Sequence, residues 1–416
     1  MDLNFFTVIF LALLIATVTI RLWLAHRHVR HVSAHRDRVP SGFTGAISLE
    51  AHQKAADYSC AKTRLARVHI AIEVLLLLAF TLFGGLALLD RVLRAQIENE
   101  LLFGVALIAS VIVISAIVDL PLSLYRTFKV EARFGFNKMT LALFFADFAK
   151  QALLAAIIGL PLIFGVLWLM EKMGEYWWLY AWVGWVAFSA LMLALYPTLI
   201  APLFNTFNPM AEGQLKERIE KLLIKCGFKS NGLFVMDGSR RSSHGNAYFT
   251  GFGRAKRIVF FDTLVNRLEP AEVEAVLAHE LGHFKMRHVV KRMLLTFGMS
   301  LAFFWLLSIA IDAQWFYQGL NAGAPSNAMA LTLFVMLAPL VTFPLQPLFA
   351  VYSRKHEFEA DAYAAAYANA KELVSALVKL YKDNASTLTP DPLHSAVYDS
   401  HPPAAVRIAR LQTREA

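Results

Sequence analysis

Seven stretches of this 416-residue chain are apolar, each near the roughly 20 residues an α-helix needs to cross a bilayer. They run over 4–24, 68–89, 101–125, 144–170, 177–200, 289–312 and 328–351. In hydrocarbon every backbone N–H and C=O must be satisfied inside the segment, so helices are expected throughout. The composition agrees. Hydrophobic residues make up 57% of the chain and charged residues only 17%, where soluble domains carry about 25% charge. The fold class expected is an all-α integral membrane protein. The first stretch lacks a basic segment ahead of it and a small-residue cleavage site, and Arg21 follows within it, so it reads as a retained anchor.

The polar connections alternate in charge. Between the first two stretches lie Arg27, Arg30, Arg36, Arg38, Lys54, Lys62, Arg64 and Arg67, and between the third and fourth lie Arg126, Lys129, Arg133 and Lys138. Residues 201–288 are again rich in Lys and Arg, whereas 90–100, 171–176 and 313–327 hold few or none. The positive-inside rule then puts the N-terminus outside and the C-terminus in the cytoplasm, as seven spans require. The net charge of +9 is therefore assigned to a membrane surface, with no nucleic acid as partner. Cys60 and Cys226 are too few for a disulfide framework and read as small packing residues.

This pattern divides the chain into residues 1–200 (five spans with their loops), 201–288 (soluble), 289–351 (two spans) and 352–416 (soluble). The first soluble piece opens with a helical GQLKERIEKLLIKCGF and continues with two β-like runs, GLFVMDG and KRIVFFDTL; the second is mostly helical, broken by TLTPDP and SHPP. Both pieces fall on the cytoplasmic side.

In the first soluble piece lies AVLAHELGHFKMRHVV, Ala275 to Val290. Residues four apart share a helix face, so His279 and His283 can aim ring nitrogens at one cation. Glu280 projects about 100° around the helix, beside the position a water would take, and so reads as a base and not a ligand. Zinc suits such a site, one Zn²⁺ per chain, because it takes nitrogen and oxygen ligands in a tetrahedron and acidifies water. The plainer alternative is an amphipathic helix with a solvated polar face. His288 has no partner in this pattern and reads as a juxtamembrane residue.

A catalytic zinc keeps three protein ligands, so a third is expected downstream. The candidate segment is SRKHEFEADAYAAAYA, just after the last span. Glu357 and Asp361 share a face there and Glu359 points away. Glu357 is assigned to the metal, and Asp361 to the far nitrogen of a ligating histidine, where it would fix the tautomer. His356 is a competing ligand.

HELGH and EFEAD, together with SSHGNAYFTGF, KRIVFFDTL and SHPPAAVR, resemble the M48 peptidases of the CAAX prenyl protease 1 branch, the Ste24-type integral membrane zinc endopeptidases. LEAHQKAADYSCAKTRL, FGFNKMT and YPTLIAPLFNTFNP extend the resemblance over nearly the whole chain. It implies seven transmembrane helices ringed around a water-filled chamber, with a small α+β, gluzincin-like protease domain on the cytoplasmic side. It also implies a peptide or prenylated protein as substrate, cut at a C-terminal CaaX sequence. By motif, His279, His283 and Glu357 would bind zinc and Glu280 would activate water. Asn246 would bind substrate backbone, and His401 and Arg407 would sit beside the reacting carbonyl. The compact loops look bacterial, which places the chain in a bacterial inner membrane.

NAYFTGF, GRAKR and IVFFDTL read as a hairpin. An edge strand carrying Ala247, Tyr248 and Phe249 would pair with an extended peptide and hold it across the metal. Glu73, Asp119, Asp147 and Lys150 are costly in lipid and should face a wet interior. Trp177, Trp178, Trp182 and Trp185 read as an interfacial belt. Two rival readings remain at this point: a quality-control metalloprotease without prenyl recognition, and a transporter or channel with a structural metal. The oligomeric state is open.

Overall fold

The computed structural model describes residues 4–250 and 257–413. Six helical segments are long and apolar enough to cross a membrane: Phe5–Ala34, Glu100–Glu131, Leu141–Lys172, Gly174–Leu203, His288–Ala310 and Asn327–Tyr367. They coincide with six of the seven expected stretches. The expected span over 68–89 is instead a broken pair, α2 (Leu49–Phe80) and α3 (Gly85–Arg94), set at 51°; counted as one crossing it makes seven. The break has a local cause. α2 stops at Phe80, and Gly84, at the left-handed φ of 76°, redirects the chain into α3. A side chain on Gly85 would lie 2.5 Å from the Ala79 carbonyl oxygen, so only glycine permits the turn.

The remaining helices of the membrane part are α1 (Phe5–Ala34), α4 (Glu100–Tyr125), α5 (Leu141–Leu154), α6 (Leu160–Lys172) and α7 (Trp177–Leu195). π-turns at 126–131, 155–159 and 196–200 interrupt the long segments, close to Pro121, Pro161 and Pro197. A missing proline N–H loosens the hydrogen-bond ladder at such points. The segments Leu141–Lys172 and Gly174–Leu203 bury only 11% of their most apolar residues. Helices in a close-packed bundle bury far more, so most of the surface of these two is left to lipid or to the space the spans enclose.

Polar residues within the spans are paired. Glu73 meets Arg21 at 2.9 Å and His69 at 3.4 Å, and His69 also lies 3.6 Å from Asp119. Glu73 and Asp119 remain about half-exposed, in keeping with an open, wet interior. Asp147 departs from that expectation. It is buried, and Arg241 of the soluble part seals it with two bonds of 2.7 and 2.9 Å. Lys150 donates to the Leu203 carbonyl. The tryptophans also pack: Trp177 is buried in the core cluster of the spans, and the Trp182 indole donates to the Phe297 carbonyl at 2.9 Å.

The soluble part holds a four-stranded sheet in the order β1 (Phe207–Pro209), β2 (Leu233–Met236), β4 (Arg257–Phe261), β3 (Ala247–Thr250). β2 and β4 run parallel, and the other pairs are antiparallel. β3 pairs with β4 as the hairpin reading expects, and β3 is an edge; most of the GRAKR turn lies outside the described residues. Helix α8 (Gln214–Lys225) buries Ile219, Leu222 and Leu223 against this module, and Cys226 and Cys60 are free and buried.

After the short α9 (Asp262–Val265) comes α10 (Pro270–Lys285), which carries HELGH. Arg287 at φ 56° turns the chain into α11 (His288–Ala310), a membrane span. Then follow α12 (Gln314–Gly319) and α13 (Asn327–Thr342). A tight turn over Phe343–Leu345 leads into α14 (Gln346–Tyr367), which carries EFEAD. The chain closes with α15 (Ala370–Asp383), α16 (Pro392–Tyr398) and α17 (Ala404–Gln412). Both motif helices are thus continuous with, or one turn from, membrane spans.

Pro270 at the first helical positions and a capping box of Glu269 with Glu272 start α10. Glu272 is buried, accepts the Glu269 N–H at 2.8 Å, and takes hydrogen bonds from Ser375 at 2.6 Å and Lys379 at 2.8 Å on α15. Glu272→Ala should therefore lower stability by about 1–3 kcal/mol, the range for hydrogen bonds to a buried charged group. Thermal unfolding in detergent checks this; an unchanged midpoint would show that the cap does not anchor α10.

Candidate metal centre

Helices α10 and α14 cross in close contact because small residues meet at the crossing. A side chain on Gly282 would lie 2.9 Å from the Ala360 Cα and 3.0 Å from the Tyr363 Cβ, and Ala278, Ala360 and Ala364 are fully buried around it. The glycine inside HELGH lets the two backbones approach, and that approach brings EFEAD over the histidines.

The result is a triangle of donor atoms. His279 Nε2 and His283 Nε2 lie 3.2 Å apart. His279 Nε2 is 3.4 Å from Glu357 Oε2, and His283 Nε2 is 3.3 Å from Glu357 Oε1. Tetrahedral bonds of about 2.0–2.1 Å from one ion set their ligand atoms about 3.3–3.4 Å apart, so the triangle has the edge length a metal needs. The donor chemistry agrees. Two imidazole nitrogens face each other, and Glu357 Oε2 is buried without a hydrogen bond. Burial disfavours a charged His279, yet its contacts to Asp361 and Glu357 outweigh that and lift its pKa to about 9. Surplus negative charge is aimed at the point where a divalent cation would sit.

Asp361 Oδ1 lies 2.9 Å from His279 Nδ1, which places the ring proton there and leaves Nε2 to face the triangle. Arg407 grips Asp361 with bonds of 2.9 and 2.6 Å and is itself buried. Its other end comes only within 3.8 Å of Glu357. Arg407 therefore holds Asp361 in place through Nε and Nη2, while its Nη1 faces the Glu357 side of the triangle. His401 stands differently. Its side chain is 61% exposed, its Nε2 lies 3.4 Å from Glu357 Oε1, and its Nδ1 is 2.9 Å from the Ser400 hydroxyl.

Glu280 is half-buried and makes no hydrogen bond among the described residues. Burial holds its carboxyl above the ordinary glutamate range. Asn246 is exposed at the start of β3, its side-chain oxygen accepting the Ala247 N–H at 2.9 Å. Strand β3, with Tyr248 and Phe249, packs along α10. The edge strand thus lies against the helix that carries His279 and His283.

Three residues sit otherwise than the pattern implies. His288 is no bystander: it is 1% exposed, its Nδ1 is 2.9 Å from His283 Nδ1, and its Nε2 is 2.9 Å from Glu359. The left-handed Arg287 folds His288 back onto α10, and nothing in a residue pattern announces such a reversal. Glu359 points away from the triangle as expected, but has this second partner. His356 is stacked on His288, with ring centroids 3.9 Å apart, and does not reach the triangle.

Fold and site together define an integral membrane metallopeptidase. Residues 28–206 match the family described as CAAX prenyl protease N-terminal, five membrane helices, and residues 209–415 match peptidase family M48. The chain is 38% identical over 386 residues to a CAAX prenyl protease 1 homolog of Arabidopsis thaliana, covering 90% of each protein. To the CAAX prenyl protease 1 homolog of Homo sapiens it is 32% identical over 457 residues, covering 97% of this chain and 95% of the human one. Its structure matches the crystal structure of S. mikatae Ste24p with a TM-score of 0.91 at 31% identity, over 97% of this chain and 98% of that one. The chain belongs to the M48 peptidase family, as a multi-pass membrane homologue of CAAX prenyl protease 1.

Glu357→Ala should strip most of the metal, measured by elemental analysis of zinc-saturated protein, whereas Glu359→Ala, which removes no ligand, should still reach near one equivalent at saturation. Gly282→Ala should weaken metal retention too, because the backbones of α10 and α14 must separate. Full retention in Glu357→Ala with loss in Glu359→Ala would reverse the ligand assignment.

Proposed function

We propose that this protein is a zinc-dependent endopeptidase that cuts prenylated CaaX proteins, or a related membrane-associated substrate, at the cytoplasmic face of a bacterial inner membrane. The observation that carries the reading is the donor triangle of His279, His283 and Glu357, beside an uncommitted Glu280 and an open strand edge. In this reading residues 1–200 and 289–351 form the membrane part, and 201–288 with 352–416 form the protease part. The basic loops put the N-terminus outside and the C-terminus in the cytoplasm.

The three ligands would hold one Zn²⁺, which when bound supplies Lewis acidity to the scissile carbonyl and makes water acidic near neutral pH. Glu280 accepts the water proton and passes it to the leaving amine, a role for which a raised carboxyl pKa is suited. Asn246 and the edge of β3 align the peptide backbone as an added strand. His401 is exposed and 3.4 Å from a ligand carboxylate, so it stands where charge develops on the carbonyl oxygen. Arg407, bound to Asp361 through Nε and Nη2, holds the His279 tautomer and keeps its Nη1 on the side of the triangle where the reacting carbonyl would lie. The surroundings of the site favour a substrate with a lipid tail: an apolar cavity of about 1420 Å³ runs from Phe6 and Trp315 to Tyr398 and Ser400, next to His401. A prenyl chain could lie there with its peptide end at the metal.

Glu280→Gln should keep the metal and the fold while abolishing turnover, since an amide cannot take the proton. His401→Ala should also keep the metal, with a loss of about 10²–10³ in rate. Mass spectrometry of cleaved peptides reads both, and near-wild-type cleavage by Glu280→Gln would rule out the mechanism. Farnesylated CaaX peptides should be cut in preference to unfarnesylated ones; equal rates would favour a quality-control protease instead.

A further inference from the structure

The two imidazoles of the donor triangle are held from behind in different ways. Each must carry its ring proton on Nδ1 if Nε2 is to offer a lone pair to a cation. For His279 the requirement is met by a carboxylate in direct contact, Asp361 at 2.9 Å. No carboxylate among the described residues touches His283 Nδ1. The atom it meets, at 2.9 Å, is the Nδ1 of His288, and the other nitrogen of that ring lies 2.9 Å from Glu359 Oε2.

Two Nδ1 atoms in contact share one proton, so the direction of the bond is a choice. If His288 donated, His283 would carry its proton on Nε2, pointing into the triangle. His288 would then turn a bare Nε2 lone pair toward a carboxylate. If His283 donates, its Nε2 is free, His288 accepts on Nδ1, and His288 Nε2–H donates to Glu359. Only the second arrangement satisfies every atom. The negative charge of Glu359 thus selects the tautomer of a ring it does not touch.

From this geometry we infer that His288 and Glu359 are positioning residues that orient His283 and set its tautomer, resting on the reading of His283 as a metal ligand. The relay is built to stay in place. His288 is 1% exposed at the head of α11, fixed by the left-handed Arg287. Its ring lies flat on His356, 3.9 Å away and 11° from parallel, and Tyr352 packs against His356 from beyond at 4.3 Å. His288, His356 and Glu359 are near enough together to raise the alternative of a second metal site. The stacking argues against it: parallel rings direct their nitrogen lone pairs side by side and not toward a common point.

The test compares zinc affinity, by chelator competition, in the full-length protein in detergent. Partners that orient ligand histidines typically contribute about 10–100-fold in metal affinity. His288→Phe keeps the flat ring on His356 but removes the acceptor, and should bind zinc about 10–100-fold more weakly. His288→Gln, which returns an acceptor, should recover part of that loss. Glu359→Lys should weaken binding and Glu359→Gln should do so less, because only the second keeps an acceptor. Glu359 is partly exposed, so these two variants should fold even if the buried change does not. Lys355→Ala, on the exposed side of Glu359, should change nothing. Zinc affinity within twofold of wild type in both His288→Phe and Glu359→Lys would overturn the relay. A second equivalent of zinc lost on His356→Ala would overturn it in favour of a second site. His283→Ala separates the two levels: retention of zinc there would sink the ligand assignment itself, and loss of zinc there leaves the relay to be judged by the other variants.

Discussion

The contact of α10 with α14 at Gly282 is the interaction on which the rest of the site depends. HELGH alone supplies two nitrogens, and EFEAD alone supplies two carboxylates on one helix face. Neither is a metal site. They converge on one triangle of donor atoms because a glycine and three alanines let two backbones pass at a distance that any larger side chain would forbid. Everything finer follows from that crossing, including the 3.2–3.4 Å edges of the donor triangle and the hold of Asp361 on His279. Arg407 then reaches in from α17 to neutralise Asp361, so that the pocket does not carry two uncompensated carboxylates.

The membrane sets where this crossing sits. α10 is separated from the span α11 only by Met286 and Arg287, and α14 continues the last span through a tight turn. The site is therefore at the mouth of the spans and not on a tethered domain. Glu73 and Asp119 lie half-exposed among the spans, and an apolar cavity opens beside α11 and α13.

What was legible in the residues was whatever a fixed period encodes. Apolar runs marked the spans, and the four-residue spacing of His279 and His283 marked one helix face. Glu357 was reachable as the third corner of the donor triangle because a catalytic zinc would need a third ligand and the acidic candidates were few. What stayed hidden was set by long-range packing. The break at Gly84 hides in an apolar run that reads as continuous. Asp147 gives no sign that Arg241, 94 residues later, will close over it. Trp182 gives no sign that its indole will donate to Phe297 of α11, 115 residues later. His288 falls outside the helical spacing of HELGH because the chain reverses at Arg287, so its partnership with His283 and Glu359 exists only in three dimensions.

The central claim is that one metal ion is held by two imidazoles and one carboxylate brought together by that helix crossing. X-ray absorption at the zinc edge on the purified, zinc-loaded protein tests it most directly. The expected spectrum has only nitrogen and oxygen neighbours, at about 2.0–2.1 Å, with the outer-shell scattering of two imidazole rings. A sulfur neighbour at about 2.3 Å would mean that the metal sits elsewhere, and the signature of three or more imidazoles would mean that His401 or His288 binds it in place of Glu357.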